Sequence, residues 1–392
     1  MDEKFINLAL NLAKKNLGLT SPNPSVGCVI VKNGEIIASG ATAAGGRPHA
    51  ENIAINNVAD KTLLNGATLY VTLEPCCHFG QTSPCTDIII AHKIKKVVIA
   101  TIDTYKKVNG GGIAKLREAG IEVVCGILEK QAKEINRAFF KTQESGLPYV
   151  TLKLATSLDG KIATKNFHSK WITGEKARHF AHYLRAQNDA IMVGANTIKY
   201  DNPLLNCRIS GLANYSPKRI IIANNVNFDE KLKIFQTAAQ THTIILANKE
   251  KASQHLENIK RLENLGVEII FCEEKKSAPE NSLQNEATKN SLQKENNRHS
   301  INLKCALEKI AASGINSVLV EGGQNLATQL LQENLVDELV WIHNKKIIGA
   351  DGICAVGEMG FSSIDNVLQN FTRQELQELG EDDFVSIYKF NV

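Results

Sequence analysis

The chain lacks any long apolar run. Nowhere do about 18 uncharged apolar residues follow one another, so no segment reads as a membrane-spanning helix. It also lacks a surplus of one charge. The net charge of +4 is mild, and no basic stripe with interleaved aromatics is present, which argues against a nucleic-acid partner. The opening Met1-Asp2-Glu3-Lys4 lacks the basic-then-apolar order of a secretory leader. No Gly-x-Gly-x-x-Gly follows a strand-like run, which disfavours a Rossmann dehydrogenase. Nine cysteines, an odd number in a chain without a leader pattern, fit free thiols in a reducing cytoplasm better than a disulfide framework. What is present is ample apolar material: 43% hydrophobic residues in 392 fill two or three domains of about 150 residues each.

The most informative segments are His49-Ala50-Glu51 and the stretch from Glu74-Pro75-Cys76-Cys77-His78 to Pro84-Cys85. One imidazole and two thiolates can hold a zinc ion and leave a fourth position open to water, whose protons a nearby carboxylate can move. A His-x-Glu followed by Pro-Cys and a later Cys is the layout of zinc-dependent nucleobase deaminases. The spacing supports it. Residues 50–59 read as a helix with His49 and Glu51 at its start, Ala67–Leu73 is an apolar, β-branched run that reads as a buried strand, and Cys85–Ala91 opens a second helix. Helix N-termini favour thiolates. The general pattern has two residues between its cysteines, whereas eight separate Cys76 from Cys85. Adjacent cysteines rarely reach one tetrahedral ion together, so Cys77 is assigned no metal role. The competing reading is of three buried free thiols.

Apolar periodicity predicts an amphipathic helix over 4–17, then strands at 26–31 and 35–39 joined by Lys32-Asn33-Gly34, a hairpin signal. Strands at 96–100 and 121–125 alternate with a helix at 113–119, and a helix over 129–140 closes a three-layer α/β sandwich. Ser145–Pro148 reads as a linker, giving domains over 1–146 and 147–392. The second domain alternates strands at 149–154, 190–194, 219–223, 243–247, 267–271, 317–320 and 338–342 with helices at 175–187, 254–265, 304–312 and 326–332, a mostly parallel α/β sheet. Residues 273–302, rich in Asn, Gln, Ser, Lys and Glu, cannot bury enough apolar surface to offset ordering and read as a disordered surface insertion.

Ser21-Pro22-Asn23-Pro24-Ser25-Val26-Gly27, His49-Ala50-Glu51 and the eight-residue cysteine spacing together resemble the deaminase half of the bifunctional riboflavin-biosynthesis deaminase–reductases. Ser157-Leu158-Asp159-Gly160-Lys161, Ser169-Lys170-Trp171-Ile172-Thr173, Asp201-Asn202-Pro203-Leu204-Leu205-Asn206-Cys207-Arg208 and Val320-Glu321-Gly322-Gly323 resemble its reductase half, in the same order and over nearly the whole chain. The resemblance implies a cytidine-deaminase-like first domain and a dihydrofolate-reductase-like second one. It implies hydrolytic deamination of a diaminopyrimidinone bearing a ribosylamino 5-phosphate, then NADPH-dependent reduction of ribosyl to ribityl, in a cytoplasmic homodimer or higher homo-oligomer. One zinc is implied on His49, Cys76 and Cys85, with Glu51 as the proton shuttle. Asn23, Lys153, Ser169, Arg185, Leu205, Arg208 and Glu321 are implied to contact substrate. The two guanidiniums suit a phosphate. Ala155, Trp171, Thr197, Asp201, Gly323, Gln324, Asn325, Leu326, Ala327, Thr328 and Gln329 are implied to line the NADPH site. Gly322-Gly323 ahead of a helix is itself a natural phosphate cradle.

Several substrate-side positions depart from the family pattern: Thr42, Arg47, Gln81 and the Asp103-Thr104-Tyr105-Lys106 segment. Arg47, Lys106 and Lys107 could compensate in charge, although loop lysines are usually solvated. The departures keep open an alternative, a reductase with an impaired or altered deaminase. Two further readings, a cytidine-type or tRNA deaminase with an accessory domain and a scaffold holding structural zinc, run against the second-domain motifs and the open coordination position.

Overall fold

The computed structural model describes residues 1–80, 83–105, 108–274 and 301–390. The chain forms two compact units, residues 1–149 with 314–316, and residues 150–313 with 317–392.

The first unit opens with α1 (Asp2–Lys15), which buries Phe5, Ile6, Ala9, Leu10 and Ala13 along one face. Acidic residues in its first turn and lysines in its last complement the helix dipole. Strands β1 (Gly27–Lys32) and β2 (Glu35–Ala41) form the expected hairpin. Asn33 and Gly34 both take positive φ, 53° and 85°, as its turn requires. With β3 (Thr68–Leu73), β4 (Lys96–Thr101) and β5 (Glu122–Cys125) they make a five-stranded sheet ordered β2-β1-β3-β4-β5. The last three strands are parallel, with α3 (Cys85–Ala91) and α4 (Gly111–Glu118) as crossovers. Both faces of the sheet are covered, so the period-2 alternation of each strand feeds two cores. Val29, Tyr70, Val98 and Ala100 pack with α1 on one side. Cys28, Ile30, Leu69, Val71, Val97 and Ile99 pack with α2 (Ala50–Asn57), α3 and α4 on the other. Truncating a fully buried member such as Ile30 or Leu69 to Ala would cost about 2–5 kcal/mol. At Gly27 a Cβ would come within 1.9 Å of the Ala9 carbonyl oxygen, so only glycine lets α1 lie this close to β1.

One expectation fails here. The single helix predicted over 129–140 is two, α5 (Glu129–Ile135) and α6 (Arg137–Ser145). Asn136 separates them because its amide side chain is drawn to the Ser25 backbone. Its Oδ1 accepts from the Ser25 N–H at 2.8 Å, and its Nδ2 donates to the Ser25 carbonyl at 3.0 Å.

In the second unit, β6 (Tyr149–Thr156), β8 (Ala190–Gly194), β9 (Lys218–Ala223), β10 (Thr243–Asn248), β11 (Val267–Cys272), β12 (Ser317–Val320) and β13 (Glu338–Asn344) match the predicted strands to within two residues. A short pair, β7 (Lys161–Ala163) with β14 (Ile353–Cys354), stands apart. The main sheet has nine strands, ordered β11-β10-β9-β8-β12-β6-β13-β16-β15. Its outer hairpin, β15 (Phe371–Glu378) and β16 (Asp383–Phe390), runs antiparallel. Helices α7 (Glu175–Ala186) and α8 (Ala195–Asp201) follow β7 and β8, and the helix Gln324–Gln332 follows β12. The expected insertion at 273–302 falls for the most part outside the described residues. Of its ends, Glu274 bridges Ile301 antiparallel, and the Asn302 N–H donates to the Glu273 carbonyl at 3.0 Å. No described helix is long and apolar enough to cross a membrane.

Candidate functional site

In the first unit two helix N-termini converge on one point. His49 caps α2, and Glu51 lies in that helix's first turn. Cys85 is the first residue of α3, behind Pro84. Cys76 follows the C-terminal end of β3, which Pro75 breaks off. Nδ1 of His49 lies 3.3 Å from Sγ of Cys85 and 3.6 Å from Sγ of Cys76, and the three donor atoms lie within 4.8 Å of one another. A tetrahedral zinc with bonds of about 2.3 Å to sulfur and about 2.0 Å to nitrogen places unlike ligand atoms about 3.5 Å apart, so the donor set fits that ion. The Cys76 thiol is held down at about 4 by a hydrogen bond from the Cys85 thiol, with help from His49 and from the Cys85 N–H at 3.3 Å. A thiolate beside an imidazole is the state that binds metal. Glu51 is buried, and desolvation together with the Cys76 charge pushes its carboxyl up to about 7. A carboxyl that titrates near neutrality can both take and return a proton. Cys77 stands outside the donor cluster, and burial raises its thiol.

In the second unit an ion network joins β6, α7 and the end of β12. Arg185 grips Glu321 with two bonds, Nε to Oε1 at 2.7 Å and a terminal nitrogen to Oε2 at 3.0 Å. Lys153 Nζ lies 3.9 Å from the same carboxylate. Burial would raise Glu321, but Arg185 and Lys153 outweigh it and hold the carboxyl at about 2. Arg185 also donates to the Asn206 carbonyl at 3.0 Å, and His182, one helical turn earlier, meets that oxygen through Nδ1 at 3.1 Å. These bonds fix the 202–208 segment, where Leu205 is buried at a positive φ of 54° and Arg208 is exposed. Burial, then Arg185 and Arg208, depresses His182 to about 4, so it is neutral near pH 7. A cleft of about 520 Å³ is lined by Ser169, Thr197, Asp201, Gly323, Asn325 and Gln329, among others. A Cβ built on Gly323 would meet no atom within 4 Å, and the helix it opens has no side-chain cap. The uncapped N–H groups therefore suit a phosphate, and a larger residue at 323 would fill the ligand's space.

The RibD C-terminal domain family matches residues 148–384. The cytidine and deoxycytidylate deaminase zinc-binding region matches residues 1–101. The riboflavin biosynthesis protein RibD of Aquifex aeolicus is 38% identical over 382 residues, covering 97% of each chain. That of Escherichia coli K12 is 34% identical over 386 residues, again 97% of each. The chain belongs to the RibD family. Among solved structures, Acinetobacter baumannii RibD superposes with a TM-score of 0.83 at 31% identity, covering 100% of this chain and 99% of that one. A Thermotoga maritima diaminohydroxyphosphoribosylaminopyrimidine deaminase/5-amino-6-(5-phosphoribosylamino)uracil reductase superposes with a TM-score of 0.80 at 33% identity and the same coverage. Like the RibD proteins it resembles, the chain is a bifunctional deaminase and reductase of riboflavin biosynthesis. Its folds are cytidine-deaminase-like and dihydrofolate-reductase-like, and its cofactors are zinc and NADPH.

Not every residue expected from the RibD pattern faces its site. Thr197, Asp201, Gly323, Gln324, Asn325, Leu326 and Gln329 line the cleft, as does Ser169. Ala327 and Thr328 are turned inward. Ala327 is fully buried, and the Thr328 hydroxyl is engaged with the Gln324 carbonyl and the Gly357 N–H. Ala155 is half-buried in β6 and is not part of the cleft wall. Trp171 is exposed, with the Arg178 guanidinium 4.4 Å over its ring. Asn23 donates to the Gly46 carbonyl at 2.8 Å, which shapes the 20–46 turn. Of the departures, Thr42 is buried and accepts from the Val26 N–H, a framework role. Arg47 reaches toward Gly80. Gln81, Lys106 and Lys107 lie outside the described residues. Sequence reasoning gave no role to Glu74, His78 or His182, and noted Thr104 only within the 103–106 segment that departs from the family pattern. Glu74 carried a signal, since an acidic residue closing an apolar strand before a proline must find partners once buried. His78 Nδ1 and Thr104 Oγ1 are buried without a hydrogen-bond partner among the described residues.

Proposed function

We propose that residues 1–146 deaminate a diaminopyrimidinone carrying a ribosylamino 5-phosphate, and that residues 147–392 then reduce its ribosyl group to ribityl with NADPH. His49, Cys76 and Cys85 hold one zinc. When bound, the ion supplies a water of lowered pKa at its open position. Glu51 would serve as the proton carrier, taking a proton from the attacking water and returning it to the ring and then to the departing amine, so that the C–NH2 bond would be exchanged for C=O and ammonia would leave. The convergence of the three donor atoms beside a buried carboxyl carries this reading. Asn23 orients the pyrimidine.

In the second domain the exposed Arg208 takes the phosphate, while Arg185, paired with Glu321, stands with Lys153, Ser169 and Leu205 around the sugar. NADPH supplies the reducing equivalents. Thr197 and the Gly323–Leu326 turn with Gln329 hold the cofactor, and Asp201 stands between it and the substrate, while Ala327 and Thr328 support that turn from within. The protein acts as a homodimer or higher homo-oligomer in the cytoplasm, without nucleic-acid or membrane partners. The nine free cysteines support that compartment. Nothing in the comparisons favours a chain with an impaired deaminase.

Ammonia release and NADPH oxidation, followed separately on the diamino substrate, test the order. Asp201→Ala should stop NADPH oxidation, leave ammonia release intact and let the deaminated compound accumulate. Full-rate oxidation of NADPH by undeaminated substrate would refute the sequence of steps.

A further inference from the structure

Glu74 is a carboxylate with 3% exposure at the end of β3, two residues before the ligand Cys76. Four backbone N–H groups donate to it. Those of Asp103 and Gly110 reach Oε2 at 3.2 and 2.9 Å, and those of Gly112 and Ile113 reach Oε1 at 2.9 and 3.1 Å. Helix α4 begins at Gly111 behind Gly110, which has no side chain to cap it. Glu74 caps it instead, from nearly forty residues away. The contact is tight enough that a Cβ on Gly112 would lie 2.2 Å from the Pro75 carbonyl oxygen.

The other end of the bonded segment packs on the cysteine loop at His78. Asp103 is buried and accepts from the Tyr105 N–H at 2.9 Å, which frames Thr104 in a tight turn. Thr104 Oγ1 is buried and has no partner among the described residues, and the Tyr105 ring stands edge-on to His78 at 5.9 Å. A buried hydroxyl left unpaired in a turn that packs on the cysteine loop is a cost that the fold alone does not explain.

We propose that Glu74 is a positioning residue for deamination: it staples the 103–105 turn to the cysteine loop so that the Thr104 hydroxyl meets a polar edge of the pyrimidine. This rests on the deaminase reading of the first domain. The test is Glu74→Gln, which keeps the shape but turns one acceptor into a donor facing other donors. Zinc content and reductase rate should hold, while KM for the diamino substrate rises about ten-fold, the worth of one lost hydrogen bond. Amide exchange at Gly110, Gly112 and Ile113 should quicken, with Val98 in β4 unchanged. Thr104→Val should raise KM in the same way without altering zinc or those amides, and it decides the matter if Glu74→Gln does not fold. A purely structural role would lower the folded or zinc-loaded fraction at constant KM, and that result overturns the proposal, as does an unchanged KM for Thr104→Val. A wild-type enzyme that releases no ammonia defeats the deaminase reading, and amide exchange in Glu74→Gln then still shows whether the staple exists.

Discussion

The two sites handle charge in opposite ways. Around His49, Cys76 and Cys85 the fold gathers electron donors and a thiolate, with Glu51 buried beside them, and leaves the positive charge to an ion. Around Glu321 the fold supplies both signs itself, with Arg185 and Lys153 paired to one carboxylate and all three side chains at most 15% exposed. The first site is therefore incomplete as protein and should answer sharply to metal. The second is complete as protein, and its charges should weigh on stability as much as on binding.

The largest expected effect breaks the first site alone. Cys76→Ser should lose nearly all zinc by metal analysis, and ammonia release with it, while NADPH oxidation on pre-deaminated substrate persists. Cys77→Ser should keep its zinc, since Cys77 lies outside the donor cluster. Zinc retained in the first variant and lost in the second would reverse the ligand assignment. Next in size is Glu51→Gln, which leaves the three ligands in place but cannot carry a proton. Zinc and fold should remain while deamination falls about a hundred- to ten-thousand-fold, the usual worth of general acid–base help.

The second site should show itself through pH. Glu321 is held at about 2 in the folded chain, below the usual value near 4.3 for an unfolded glutamate. A lowered folded value means its stabilisation is fully present above about pH 4.3 and is lost as pH falls toward 2. Chemical denaturation of the second unit should weaken across that window, and Glu321→Gln should flatten the dependence. Glu321→Ala strands Arg185 and Lys153 without their partner and should cost about 3–5 kcal/mol. Equal acid sensitivity in wild type and Glu321→Gln would place the titration elsewhere.

The same contrast explains what could be read from the sequence. The metal ligands sit in two short segments whose order follows from a helix start, a strand end and a second helix start, so residue type and spacing alone named them. Lys153, Arg185 and Glu321 span 168 positions and meet only because β6 and β12 lie side by side in the sheet and α7 packs near them. Only the family resemblance brought them together beforehand. The outer hairpin escaped notice because β15, Phe-Thr-Arg-Gln-Glu-Leu-Gln-Glu, is an exposed edge strand with no apolar alternation to betray it. The helix break at Asn136 was invisible because its cause, Ser25, is 111 residues away. Glu74 was quoted within a motif, but its partners lie 29 to 39 residues further on, where no local pattern points.

The smallest effect concerns a stretch that belongs to neither site. Residues 275–298 carry few apolar side chains among many Asn, Gln, Ser, Lys and Glu, too few to offset the entropy of ordering. The chain on either side is already closed, because Glu274 bridges Ile301 and the Asn302 N–H reaches the Glu273 carbonyl. Removing 275–298 leaves His299 and Ser300 between the bridged pair, the length of the shortest hairpin loop. The bridged pair is kept and the removed residues are few in apolar side chains, so the melting temperature and both activities should stay close to wild type. His-Ser does not favour the positive φ values of such a turn, so replacing both residues with Asn-Gly should recover any small loss. A deletion that lowers either activity several-fold, and that Asn-Gly does not rescue, would show that the polar stretch serves one of the two sites after all.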